Sequence, residues 1–125
     1  MEVLSSRVLV RPHDWERSRR FYAEALGLAV AREFPGGIVF FAGSGQIELS
    51  HGAPAGEVSS STALWLQVRS LPAAVEELRG HGVPITREPR REPWGLDECW
   101  IADPDGRAIV LVEVPPGHPI RTDTR

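Results

Sequence analysis

The chain has 125 residues and a mass of 13.8 kDa, with 42% apolar and 25% charged residues and a formal net charge of -3. That is one domain's worth of sequence with a core of its own, and the balance excludes a polybasic nucleic-acid tail and a wholly disordered chain. No apolar run reaches the roughly 18 residues of a membrane span. No basic patch followed by an apolar stretch opens at Met1-Glu2-Val3, and the one cysteine, Cys99, fits a reducing compartment. The expectation is a cytoplasmic protein with neither a membrane nor a nucleic acid as partner.

The order of elements repeats. In the first half, Arg7 to Arg11 (RVLVR) alternates as a strand does. Asp14 is placed to cap a helix that starts at Trp15, with Glu16 in its positive first turn. Trp15, Ser18, Tyr22, Ala25 and Leu26 fall near one face, and Gly27 stands where a C-terminal glycine stops a helix. Leu28 to Glu33 follows, then a Pro35-Gly36-Gly37 turn. Ile38 to Ala42 and Gln46 to Ser50 read as a hairpin around Gly43-Ser44-Gly45.

The second half runs the same way. Ala63 to Arg69 is a strand, Ser70 caps a helix, and Pro72 fits its first turn, where a missing N–H costs nothing. Leu71, Ala74, Val75 and Leu78 form its apolar stripe, and Gly80 or Gly82 ends it. Val83 to Thr86 reads as a short strand. Cys99 to Ala102 and Ala108 to Val114 are strands around an Asp103-Pro104-Asp105-Gly106 turn. Superposing Asp14-Trp15 on Ser70-Leu71 brings Val8 and Val10 onto Leu64 and Leu66. The expected organisation is one α+β domain, residues 1–125, of two tandem βαβββ modules, 4–50 and 62–114. The small, polar stretch 51–61 is the linker, and the Pro-rich tail from Pro115 to Arg125 lies on the surface or at a subunit contact. One helix covers one face of a sheet. Two such modules therefore make a cupped mixed sheet around a cleft, with the helices outside.

This arrangement resembles the glyoxalase/bleomycin resistance/extradiol dioxygenase superfamily, the vicinal oxygen chelate proteins. The matching pieces are Asp14-Trp15-Glu16-Arg17-Ser18 leading to Phe21-Tyr22 and Leu26-Gly27-Leu28, then Ile47-Glu48-Leu49 and Gly82-Val83. Trp94-Gly95, Asp103-Pro104-Asp105-Gly106 and a strand ending in Glu113 complete the set. The resemblance implies that metal-dependent members draw ligands from the first and last strands of each module. Carried onto this chain, those positions hold Arg7, Glu48, Ala63 and Val110. Guanidinium offers no lone pair, and Ala and Val have no donor atom. One carboxylate does not fix a catalytic divalent ion, so neither metal nor other cofactor is expected.

With Arg7 and Glu48 facing the cleft, period two sends Leu9, Arg11, Gln46 and Ser50 the same way. Trp65, Gln67, Val110 and Val112 join them from the second module. Val8, Val10, Ile47, Leu49, Leu64, Leu66, Ile109 and Leu111 then pack under the helices. An aromatic, two arginines, one carboxylate and aliphatic patches suit an organic ligand with a flat apolar part. The candidate ligand contacts are Arg7, Arg11, Glu48, Trp65, Gln67, Trp94, Trp100 and Val110. Glu48 is equally placed to pair with Arg7 across the face. Trp15 reads as packing, and Phe40 faces either side.

His51, at the linker mouth, is either a surface residue or a base near Glu48. His13, His81 and His118 read as exposed. Cys99 reads as a small buried hydrophobe rather than a nucleophile. Asp103 and Asp105 read as turn formers, since a calcium loop's oxygens are absent. Two function classes follow. The first is a non-catalytic binder that sequesters a small aromatic molecule, resembling bleomycin-type resistance proteins. The alternative is a metal-independent, or atypically metal-dependent, glyoxalase- or dioxygenase-like enzyme with Glu48, helped by His51, as general base. The small core and the exposed sheet edges point to a homodimer.

Overall fold

The computed structural model describes residues 1–52 and 54–122; Ala53 of the expected linker and residues 123–125 of the expected tail lie outside them. The chain divides into two compact units, Met1–Val58 and Ser59–Arg125. Each holds a four-stranded mixed sheet of the same topology, so the expected tandem βαβββ modules are present.

In the first unit, β1 (Val8–Val10) runs parallel to β4 (Gly45–Ser50). Next come β3 (Gly37–Ala42) and β2 (Val30–Phe34), both antiparallel to their neighbours. Helix α1 begins at Trp15, where the Asp14 carboxylate accepts the Arg17 N–H at 3.1 Å. Only Trp15–Arg20 is α-helical, and Phe21–Ala25 widens into a π-helical turn, with the Leu26 N–H donating to the Phe21 carbonyl at 2.9 Å. The widened turn buries two adjacent aromatics, Phe21 and Tyr22, whose rings meet edge to face at 5.1 Å. Trp15 and Leu26, expected on the buried stripe, are only half-buried, and Phe21 joins the stripe instead. Gly27, at φ +67°, ends the helix in the left-handed region, and the Leu28 N–H reaches back to the Tyr22 carbonyl at 3.1 Å.

Tyr22 stacks on Phe40 at 6.3 Å and both are fully buried. Phe40 therefore faces the helix, together with Val10, Ile38, Ile47 and Leu49. Val8 departs from the expected burial and is 42% exposed. It opens a three-residue strand at the edge of its sheet. Gly37, expected in a turn, is the first residue of β3. It lies so close to the Leu49 carbonyl that a Cβ would sit 2.2 Å from that oxygen.

In the second unit, β5 (Leu64–Gln67) is parallel to β8 (Ala108–Glu113), followed by β7 (Asp97–Ala102) and β6 (Ile85–Arg91). Helix α2 (Leu71–Gly80) is capped by the Ser70 hydroxyl, which accepts the Ala73 N–H at 3.2 Å, and carries Pro72 in its first turn. Leu71, Val75 and Leu78 bury its stripe against the sheet face that holds Leu64, Ile109, Leu111, Cys99 and Ile101. Leu66, expected wholly under the helix, is half-buried. Strand β6 is longer than the expected Val83–Thr86. It runs through Arg87, Pro89, Arg90 and Arg91 with two irregularities in its pairing. It is an edge strand, so charge and proline are tolerated there and mask the alternation.

Asp103 ties the β7–β8 turn. Its carboxylate accepts the N–H groups of Asp105 and Arg107 at 3.0 and 2.9 Å and pairs with the Arg107 guanidinium at 2.5 Å. A short helix α3 (Pro119–Thr122) lies in the tail. None of the helices among the described residues is long and apolar enough to cross a membrane.

Phe40 and Phe41 are neighbours on opposite faces, one fully buried and the other 49% exposed. Phe40→Ala is expected to lower the unfolding free energy by about 3–5 kcal/mol, and Phe41→Ala by about 1 kcal/mol or less. Urea denaturation of the two variants measures the difference.

Candidate functional site

The face of each sheet opposite its helix is the candidate surface, and alternation decides what it carries. In the first unit, Leu9, Glu48 and Val39 are neighbours in register across β1, β4 and β3. Arg7, just before β1, donates from Nη1 to Glu48 Oε1 at 2.8 Å, and the Ser50 hydroxyl donates to Oε2 at 3.1 Å. Both carboxylate oxygens of Glu48 thus have a donor. Arg7 is 39% exposed against 17% for Glu48, so the pair orients the carboxylate more than it stabilises the fold. Arg11, also expected on this face, is exposed just beyond β1, and Gln46 is half-buried.

His51 does not join Glu48. Its N–H donates to the Gly36 carbonyl at 2.7 Å, and its ring lies 4.7 Å from that of Trp15. No hydrogen bond between His51 and Glu48 is present among the described residues. With Pro12, His13, Ser50 and Gly52, this pair of rings lines a cavity of about 340 Å3 at the end of β4. Ser50 therefore faces the cavity while its hydroxyl serves Glu48.

In the second unit, register places Trp65 beside Val110 and Gln67 beside Val112, with Trp100 and Glu98 next to those valines on β7. Trp65 is 47% exposed, and Gln67 is exposed as well. Val110 is different. It is buried with Leu96, Val112 and Val114, and the half-buried Trp100 packs against that cluster. Trp100 and Val110 thus belong to the apolar part of this face, and Trp65 is the in-register neighbour of Val110 on β5. Arg87, the β6 partner of Trp100, lays its guanidinium 5.6 Å from the centre of the Trp100 ring.

Two buried acids were not legible as site residues. Glu98 is buried and accepts the Trp94 indole N–H at 2.7 Å, which holds a ring that is itself 58% exposed. The Trp94 carbonyl is bonded to the His118 imidazole at 3.0 Å. Glu92 is buried and receives Arg87 and, at 2.9 Å, Arg90. The signal for Glu98 was its place two residues before Trp100. Starting that strand at Cys99 left the acid outside it. Glu92 gave no signal, because its partners are Arg87 and Arg90 of β6, a strand whose alternation is masked.

The sequence profile of the Glyoxalase/Bleomycin resistance protein/Dioxygenase superfamily matches residues 5–111. The chain belongs to that superfamily. Solved structures agree on its fold. A member from Sphaerobacter thermophilus is 24% identical, with TM-score 0.72, over 90% of this chain and 98% of that one. A glyoxalase-related enzyme from Fulvimarina pelagi is 23% identical, with TM-score 0.74, over 92% and 90%. A lactoylglutathione lyase from Agrobacterium tumefaciens is 16% identical, with TM-score 0.69, over 90% and 94%. No curated protein matches the chain.

Metal-dependent members of this superfamily need several oxygen or nitrogen donors, and the residues here do not fit that need. Arg7 stands at one of the corresponding positions with its guanidinium on Glu48. Ala63 and Val110 at two others have no donor atom. Among the described residues, no three His, Cys, Asp or Glu side chains come together as a metal group. Cys99 is fully buried beneath α2, and burial pushes its thiol above the ordinary range. The thiolate is thereby disfavoured, so Cys99 packs rather than attacks. Ellman's reagent at pH 8 is expected to leave the native protein unlabelled and to titrate one thiol once urea unfolds it. Absorbance at 412 nm reads the outcome.

Proposed function

We propose that the protein binds a small aromatic organic molecule without transforming it, on the sheet faces turned away from the helices. The reading rests on the exposed indole of Trp65 beside the buried Val110 and the half-buried Trp100, in a family that includes bleomycin resistance proteins. An exposed tryptophan beside a desolvated aliphatic floor offers a flat ligand a stacking surface. Trp94 adds a second exposed ring, steered by Glu98. On the first unit's face Arg7, Arg11 and Glu48 supply the polar contacts, and on the second unit's face Gln67 does. Glu48 suits recognition better than proton abstraction, because a guanidinium and a hydroxyl already address its two oxygens. As a general base it would have to give up its partners first.

The protein is read as a cytoplasmic homodimer. Val3, Leu4, Val8 and Leu9 are exposed in and before the edge strand β1, which leaves an apolar strip for a second copy to cover.

Titration with a panel of aromatic natural products, followed by tryptophan fluorescence, tests the proposal. Saturable quenching is expected, with affinity falling about tenfold or more in Trp65→Ala, in line with an aromatic contact worth roughly 1–2 kcal/mol. Mass spectrometry of the incubated ligand is expected to show no product. Turnover that Glu48→Gln abolishes would replace the binder with a metal-independent, or atypically metal-dependent, enzyme. Light scattering during the same titration is expected to give twice the chain mass.

A further inference from the structure

The second unit has a cavity of about 590 Å3 on the other side of its sheet, wedged between α2 and β6. One wall is the helix face of Pro72, Val75, Glu76 and Arg79, residues that follow one another at helical spacing. The opposite wall is a charged row, Arg91, Asp97 and Glu113, neighbours in register across β6, β7 and β8. Leu71 and Pro89 extend the apolar surface. This volume is that of an ordinary small-molecule pocket.

The lining carries three arginines and three acids, but they are not paired one to one. Arg91 pairs with Asp97 through two hydrogen bonds, at 2.6 and 3.3 Å. Arg79 is turned to Glu88, which is not part of the lining. Arg90 is held by the buried Glu92 through its Nε at 2.9 Å, and Glu98 is its partner in register on β7. Each guanidinium is therefore committed to a carboxylate other than Glu76 or Glu113. Glu113 uses Oε1 to accept the Leu71 N–H at 2.7 Å, a neutral partner that leaves its charge in place. Glu76 is exposed on the rim and has no hydrogen bond or ion pair among the described residues. The cavity thus combines an apolar wall with two carboxylates that hold no direct ion pair, while Arg91 on the same wall attracts Glu113 only at longer range.

We infer that this cavity is a second binding site, separate from the open sheet face, for a small organic cation: an ammonium on a compact apolar body. The body packs on Leu71, Pro72, Val75 and Pro89. The ammonium lies toward Glu76 and Glu113, where a charge-assisted hydrogen bond replaces water. A carboxylate ligand meets the same two acids and is repelled. A neutral ligand of equal shape gains only the apolar contact.

Phenethylammonium, 2-phenylethanol and 3-phenylpropionate share a body and differ in charge. Titration of each into the 15N-labelled protein, following the Leu71 amide that reports on Glu113, tests the assignment. Saturable shifts with phenethylammonium are expected, at an affinity about tenfold or more above the alcohol and the acid, and weaker in high salt. Glu76→Arg, at an exposed position that supports no other contact, is expected to reverse the preference between the ammonium and the acid. Trp65→Ala is expected to leave these shifts unchanged while it impairs aromatic binding on the other face. Equal binding of alcohol and ammonium overturns the inference. So does an unchanged preference in Glu76→Arg, or loss of the Leu71 shifts in Trp65→Ala.

Discussion

A single helix of about ten residues has one apolar stripe, and a four-stranded sheet has two faces. Each half of this chain meets that geometric limit by packing its helix on one face only. In the first half the contact centres on Tyr22 against Phe40, and in the second on Leu71, Val75 and Leu78 over Ile109 and Leu111. The proposed aromatic site uses the face left over. Period two puts Phe40 under the helix and Phe41 in the open, Leu64 inside and Trp65 outside. On the edge strand β5 the side turned away from the helix stays exposed at Trp65 and Gln67.

The two open faces differ in character, and the difference comes from local pairing. On the first, Glu48 is committed to Arg7 and Ser50, so its charge is shared before any ligand arrives. On the second, Val110, Val112, Val114 and Leu96 make a dry patch, and the polar groups are pushed to its border. There Glu98 steers Trp94, and Glu92 gathers Arg87 and Arg90. Buried acids of this kind are stabilised only by the donors that reach them, and they fix those donors in return. The apolar floor contributes contact area, and the bordering acids contribute orientation.

The order of strands and helices was legible because its signals are local. Asp14 and Ser70 cap their helices through a hydrogen bond to the third residue on, and alternation reads directly from the strands. What stayed hidden depends on partners distant in sequence. The π-helical turn at Phe21–Ala25 is set by where the sheet takes two consecutive aromatics, which a regular helical period does not encode. Strand β6 was read too short because an edge strand full of arginine shows no alternation. Glu98 fell outside the expected strand by one residue, and Val110 was placed on the right face without the neighbours that bury it. The cavity beside α2 had no sequence signature, since its walls come from a helix and three strands that meet only in the folded chain.

Strand β6 also bears on how the molecule behaves in a crowded solution. Its outer rim carries Pro89, which has no N–H to offer, and three guanidinium groups, and its pairing with β7 slips twice along its length. A foreign polypeptide trying to zip onto that rim meets a missing donor and a broken hydrogen-bond spacing at once. The arginine-rich edge strand is thereby a poor template for fibril growth.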